Sequence, residues 1–164
     1  MSDDLITALR QNHALEHATI SLLIKKTGML QKVAGIATAT GFYLYGDVSA
    51  EAVQEAATEG LARLQSGESE LAVSPFCGTN ISVAGIAAGI ACFLALGGKK
   101  QGWRLPLAIL AATSAVIAAR PLGRMVQKYL TTSADLTGVR IKRITRRGTG
   151  AIPLHKVETT RGAQ

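Results

Sequence analysis

Polarity along the chain is periodic at first and then disappears. Leu5, Leu9, Leu15, Ile20, Leu22, Leu23 and Ile24 recur at helical spacing, which predicts a first helix with a broad apolar face. Asp3 and Asp4 offer a cap and suit the positive end of its dipole. Lys25 and Lys26 suit the other end, and Gly28 is its expected stop. A Gly-containing connection, 33-VAGIATAT-40, follows. In 41-GFYLYGDV-48, Phe42 and Leu44 alternate with Tyr43 and Tyr45, the period of a strand. Ser49 then caps a second helix, with Val53, Ala57, Leu61 and Leu64 at helical spacing and Gly67 at its end. After 66-SGESE-70, the run 71-LAVSPF-76 predicts a second strand, so the front half reads α-β-α-β up to 77-CGTN-80.

No charged residue occurs from Leu71 to Gly98. Within that stretch, 81-ISVAGIAAGIACFLALGG-98 is 18 residues of apolar and small side chains, near the lower limit of the ~17–25 that span a bilayer. A basic turn, 99-KKQGWR-104, precedes 105-LPLAILAATSAVIAA-119. That second run covers roughly 23 Å as a helix. It lengthens if Arg120 and Arg124 snorkel to one interface while Trp103 sits at the other. We read a transmembrane helical hairpin; the pattern also fits a hairpin buried in a larger soluble assembly. Gly85 and Gly89 form a G-x-x-x-G pair that lets two helix backbones approach closely. The second helix is one candidate partner, and a homo-oligomer through another copy is the other. In the tail, Val139, Ile141, Ile144, Ile152, Leu154 and Val157 fit two short strands. The expected fold class is an α+β membrane protein. It has a small α-β-α-β cytoplasmic domain (1–80), a two-helix transmembrane hairpin (81–124) and a basic β tail (125–164).

Charge adds an orientation. The net charge is +7, with nine Asp/Glu against five Lys/Arg in residues 1–80, and ten Lys/Arg against two Asp/Glu in 120–164. The terminal side of the hairpin carries 15 Lys/Arg and the loop three. The positive-inside bias therefore predicts a multi-pass protein of the cell inner membrane with both termini cytoplasmic. The start, MSDDL, is acidic where a secretion signal is basic. Cys77 and Cys92 make no disulfide framework, which implies a reducing or membrane setting. Five Lys/Arg between 140 and 147 either blunt a strand edge or meet anionic lipid of the bilayer, at about 1 kcal/mol per basic residue near the surface. We favour lipid. Nucleic acid is not expected, since the tail lacks aromatic residues that stack on bases.

The candidate chemistry lies in 11-QNHALEHATI-20. Residues four apart share a helix face, so His13 and His17 project side by side, and Glu16 lies beside them. This is H-x-x-E-H, the reversed zinc-protease pattern. Neutral imidazole suits zinc, and the carboxylate can take a proton from metal-bound water. Zn2+ is the cofactor this chemistry calls for. The same spacing also fits a polar helix face whose imidazoles bond to their neighbours.

The order 13-HALEH-17, 34-AGIATAT-40, 42-FYLYGDV-48, 50-AEAVQEAATEGLARL-64 resembles the core of the pitrilysin/insulysin-type metallopeptidases. The resemblance covers about the first 65 residues. It implies zinc ligands at His13 and His17 and a general base at Glu16. Those peptidases take a third ligand from a glutamate on a later helix; here that distance falls in the apolar hairpin, which holds no acid. Cys77, in the CGTN loop, is the candidate third ligand, as a thiolate, or else a small buried residue at a strand end. His155 and Glu158 are further candidates. Glu51, Glu55 and Glu59 recur at i, i+4, i+8 and fit a solvated helix face. As a whole the chain also resembles an uncharacterised family of bacterial and cyanobacterial membrane proteins, through NHALEHATI, GFYLYG, GESELAVSPFCGTN and the hairpin. That likeness implies membrane location and no particular activity. Two functions follow as expectations. One is a membrane-tethered metal-binding protein acting as a zinc-dependent peptidase-like hydrolase. The other is a non-enzymatic assembly or scaffold protein whose helix holds a structural metal or none.

Overall fold

A computed structural model describes residues 2–27, 33–97, 102–147 and 153–162. Gly28 as helix stop, Lys99 and Lys100 of the loop, and Ile152 of the tail lie outside the described residues. The chain forms two compact units, residues 1–74 with 128–164, and residues 75–127.

The first unit is built on helix α1 (Ser2–Thr27). Strands β1 (Ala34–Thr38) and β2 (Gly41–Tyr45) follow, then helix α2 (Ala50–Gln65). The unit is completed from the tail by β3 (Val139–Arg147) and β4 (Leu154–Arg161). The strands make one antiparallel sheet in the order β1-β2-β4-β3. Alternation decides its faces. Phe42, Leu44, His155 and Val157 are buried on one side. Tyr43, Lys156 and Glu158 project on the other, where Glu158 pairs with Arg143 at 2.9 Å and Lys156 at 3.1 Å. Those cations, Lys156 first, hold the Glu158 carboxyl below its ordinary range. Leu15, Ala18 and Leu23 of α1 and Val53, Ala57 and Leu64 of α2 join Phe42, Leu44 and Val157 in one core. The Ser49 hydroxyl caps α2, accepting from the Ala52 N–H at 3.1 Å. Two of the three stripe acids are tied to the neighbouring helix: Lys26 meets Glu55 and Glu59, each at 2.9 Å.

Two sequence expectations change. The connection 33–40 contains strand β1, which pairs Thr38 with Gly41 across a tight turn. Its small residues carry little β preference, and tertiary pairing with β2 supplies what propensity lacks. The expected strand at 71–76 is absent: Ser69–Ala72 is a 3-10 turn, and Val73 beyond it is extended but is not part of the sheet. The front half is therefore α-β-β-α, and the tail supplies the other two strands.

The second unit is a pair of helices, α3 (Gly78–Leu96) and α4 (Leu105–Val126). Both are long and apolar enough to cross a membrane, and none of the α3 window is buried. Ile81, Ile86, Ile90, Phe93 and Leu94 are all exposed. The two helices meet where Gly123 admits Asn80: a Cβ at 123 would stand 2.5 Å from Asn80 Oδ1. Gln127 Nε2, buried, donates to that same oxygen at 2.7 Å. Gly85 and Gly89 have nothing within 4 Å of a built Cβ. The G-x-x-x-G pair is thus not the contact between α3 and α4, because Gly123 fills that role.

Gly41 is the residue on which the β1–β2 turn depends. Its φ is +142°, and a Cβ there would overlap the Val157 carbonyl. Gly41→Ala is expected to lower unfolding stability by at least the ~1–3 kcal/mol of a strained backbone. Gly67→Ala, at φ +98° with nothing within 4 Å, should lose less. Chemical unfolding of the two variants in detergent compares them; equal losses would contradict the packing role given to position 41.

Candidate metal centre

The middle of α1 is enclosed rather than wet. Asn12 is fully buried, Glu16 is 6% exposed and His17 3%. Such enclosure requires partners for every polar group, and the surrounding segments supply most of them. Asn12 Nδ2 donates to the Thr38 carbonyl at 2.7 Å, and its Oδ1 accepts from the Thr159 hydroxyl at 2.7 Å. Gln11 and Arg161 pair at 2.9 Å. These bonds tie the helix to the first and third strands of the sheet.

The two imidazoles are held by main-chain carbonyls. His17 Nδ1 bonds the Ala72 carbonyl at 2.7 Å. His13 Nδ1 bonds the Thr131 carbonyl at 2.9 Å. A carbonyl only accepts, so both Nδ1 atoms carry the proton and both lone pairs are on Nε2. Each acceptor belongs to the last residue of a short irregular turn, Ser69–Ala72 and the π-helical turn Gln127–Thr131, where carbonyls lack helical partners. The ring centroids lie 4.4 Å apart at an interplanar angle of 58°. His17 Nε2 is buried and has no hydrogen-bond partner. An unsatisfied buried acceptor costs about 1–3 kcal/mol, and a metal-ligating histidine shows this arrangement, with its outer nitrogen donating to a carbonyl.

Among the described residues, His13 and His17 are two members of a possible metal-ligating trio; the third, Cys77, belongs to the second unit. Cys77 is the N-cap of α3; the Thr79 N–H donates to its Sγ at 3.4 Å. A cysteine binds metal as the thiolate.

Glu16 is directed at β1. A Cβ on Gly35 would overlap its carboxyl, so the glycine is what lets this acid lie against the strand. The remaining candidates are elsewhere. His155 is in the sheet core, bonding the Val48 carbonyl through Nε2 at 2.9 Å. Glu158 is in the ion cluster on the opposite face, and Glu55 and Glu59 hold Lys26. Sequence reasoning did not find the carbonyls of Ala72 and Thr131 or the role of Gly35. Any residue carries a carbonyl, so only Gly35 left a signal, as the glycine of the connection 33-VAGIATAT-40.

Gly35→Ala is expected to destabilise the protein in the presence of Glu16 and to do so much less in a Glu16→Ala background. A double-mutant cycle should give a coupling of about 0.5–3 kcal/mol. Additive effects would show that the two residues do not share this space.

A profile for a domain of unknown function, DUF6391, matches residues 8–144. An uncharacterized protein of Picosynechococcus sp. (strain PCC 7002) is 37% identical over 141 residues, covering 78% of this chain and 67% of that protein. No solved structure matches.

Proposed function

From the premise that the chain belongs to the DUF6391 family, which assigns no activity, we propose that it is a membrane-tethered zinc-binding protein with a hydrolytic site. His13 and His17 through Nε2 and Cys77 through Sγ would hold the ion. The observation that carries this reading is His17: Nδ1 fixed by Ala72, Nε2 buried and without a partner. Three protein ligands leave a fourth position for water, the arrangement of catalytic rather than structural zinc. Zinc in such a site supplies Lewis acidity and lowers the pKa of bound water towards about 7. Glu16 is assigned the proton transfer, and peptide bonds near the membrane surface are the substrate class.

The membrane reading rests on the exposed apolar surface of α3 and α4. Lipid covers such surface without cost, whereas water does not. Both termini are assigned to the cytoplasm by the distribution of Lys and Arg. Anionic lipid is assigned to the basic edge strand β3, and contact between copies to Gly85 and Gly89.

One observation favours a second reading. The Glu16 carboxyl packs against Gly35, which suits an acid that braces β1 in a non-enzymatic scaffold with a structural ion.

Metal analysis of protein purified in detergent separates these readings. Wild type is expected to carry about one zinc per chain, and His13→Ala, His17→Ala and Cys77→Ser to lose most of it. Glu16→Gln should retain zinc and lose cleavage of quenched-fluorescent peptides. Wild type without stoichiometric metal would remove the proposal. Zinc with no cleavage by wild type would leave the scaffold reading.

A further inference from the structure

The stripe that carries the histidines begins earlier. Leu5, Leu9, His13 and His17 recur at i, i+4, i+8 and i+12 along one face of α1. The two ends of this stripe differ sharply. His17 is 3% exposed, whereas Leu5 is 59%, Leu9 42% and the adjacent Ile6 56% exposed. Water-facing leucine and isoleucine on three of five consecutive positions are unusual in a helix whose next turns are enclosed.

The same end of α1 is strapped to the segment that follows α4. Arg10 Nη2 donates to the carbonyls of Tyr129 and Thr132, each at 3.0 Å. The Ser133 N–H donates to the Arg10 carbonyl at 3.1 Å. Tyr129 and Leu130, on the segment that Arg10 holds, are themselves 67% and 68% exposed. Lys128 Nζ lies 5.8 Å from the Tyr129 ring centroid, a pairing of the residue types found at membrane interfaces.

Chain length sets the depth of this patch. The helical stretch Leu105–Thr131 has 27 residues, about 40 Å at 1.5 Å each, against a hydrocarbon core of about 30 Å. With Trp103, a residue type of membrane interfaces, at its start, the excess of about 10 Å would fall at the other end, placing the turn 127–131 at headgroup level.

We infer that the N-terminal turns of α1, through Leu5, Ile6 and Leu9, together with Tyr129 and Leu130, insert into the headgroup and upper acyl region of the bilayer. The occupant of this face is lipid, because the patch is continuous in the chain with a membrane-crossing helix and is tied to α1 by Arg10. The inference rests on the membrane reading of α3 and α4 above. It puts His13, four residues and about 6 Å along the helix from Leu9, one turn from the lipid.

Tryptophan quenching in vesicles tests this. In full-length Trp103→Phe protein reconstituted into phosphatidylcholine, single tryptophans replace Ile6, Leu9, Phe93 or Gln54. Phe93 reports on α3, and Gln54 is an exposed reference on α2. Phosphatidylcholine brominated on the upper acyl chain should quench the Ile6→Trp and Leu9→Trp variants at least half as strongly as Phe93→Trp, with Gln54→Trp unaffected. Quenching of Phe93→Trp with Ile6→Trp and Leu9→Trp behaving like Gln54→Trp would overturn the inference and leave the hairpin in the membrane. No quenching at Phe93→Trp either would overturn both.

Discussion

The bond from His17 Nδ1 to the Ala72 carbonyl is the constraint around which the proposed centre is organised. It is 2.7 Å long and buried, so it is not exchanged for water at low cost. It fixes the proton on one ring nitrogen and leaves the lone pair on the other. It also fixes residue 72 beside α1. The sequence pattern at 71–76 suggests a strand, but a strand there would offer its carbonyls to a neighbour. A 3-10 turn leaves the last carbonyl available for an imidazole. The 3-10 turn at Ser69–Ala72 and the His17 bond thus go together.

Sequence legibility followed the locality of the forces. The ends of α2 were readable from Ser49 and Gly67 because caps act within a few residues. Strand β2 was readable because Phe42 and Leu44 alternate with Tyr43 and Tyr45. The apolar hairpin helices were readable from composition alone. Strand β1 was not, since Ala34, Gly35 and Ala37 have weak intrinsic preference and take their conformation from β2. Nor was the Gly123–Asn80 contact, because Gly85 and Gly89 form the more conspicuous small-residue pair and only packing shows that they do not face α4.

At the site, the sequence named the donors and the structure supplied their supports. His13 and His17 follow from residue chemistry and spacing, with Cys77 as the candidate third donor beside His155 and Glu158. What holds the two imidazoles follows from backbone geometry: Ala72 and Thr131 contribute only carbonyls. Glu16 shows the limit of motif reasoning. The pattern H-x-x-E-H suggests a base, while its contact with Gly35 shows an acid that fits against a strand. The resemblance to metallopeptidases supplied an expected order of elements, and the tail strands that complete the sheet lie outside the stretch that carried it.

The central claim is that two imidazoles and one thiolate of this chain bind one metal ion. X-ray absorption at the zinc edge on the purified, zinc-loaded protein tests it most directly. Nitrogen or oxygen scatterers are expected at about 2.0–2.1 Å and a single sulfur at about 2.3 Å, with the sulfur shell lost in Cys77→Ser and retained in Cys92→Ser. A shell of light atoms alone, or a sulfur that survives Cys77→Ser, would contradict it.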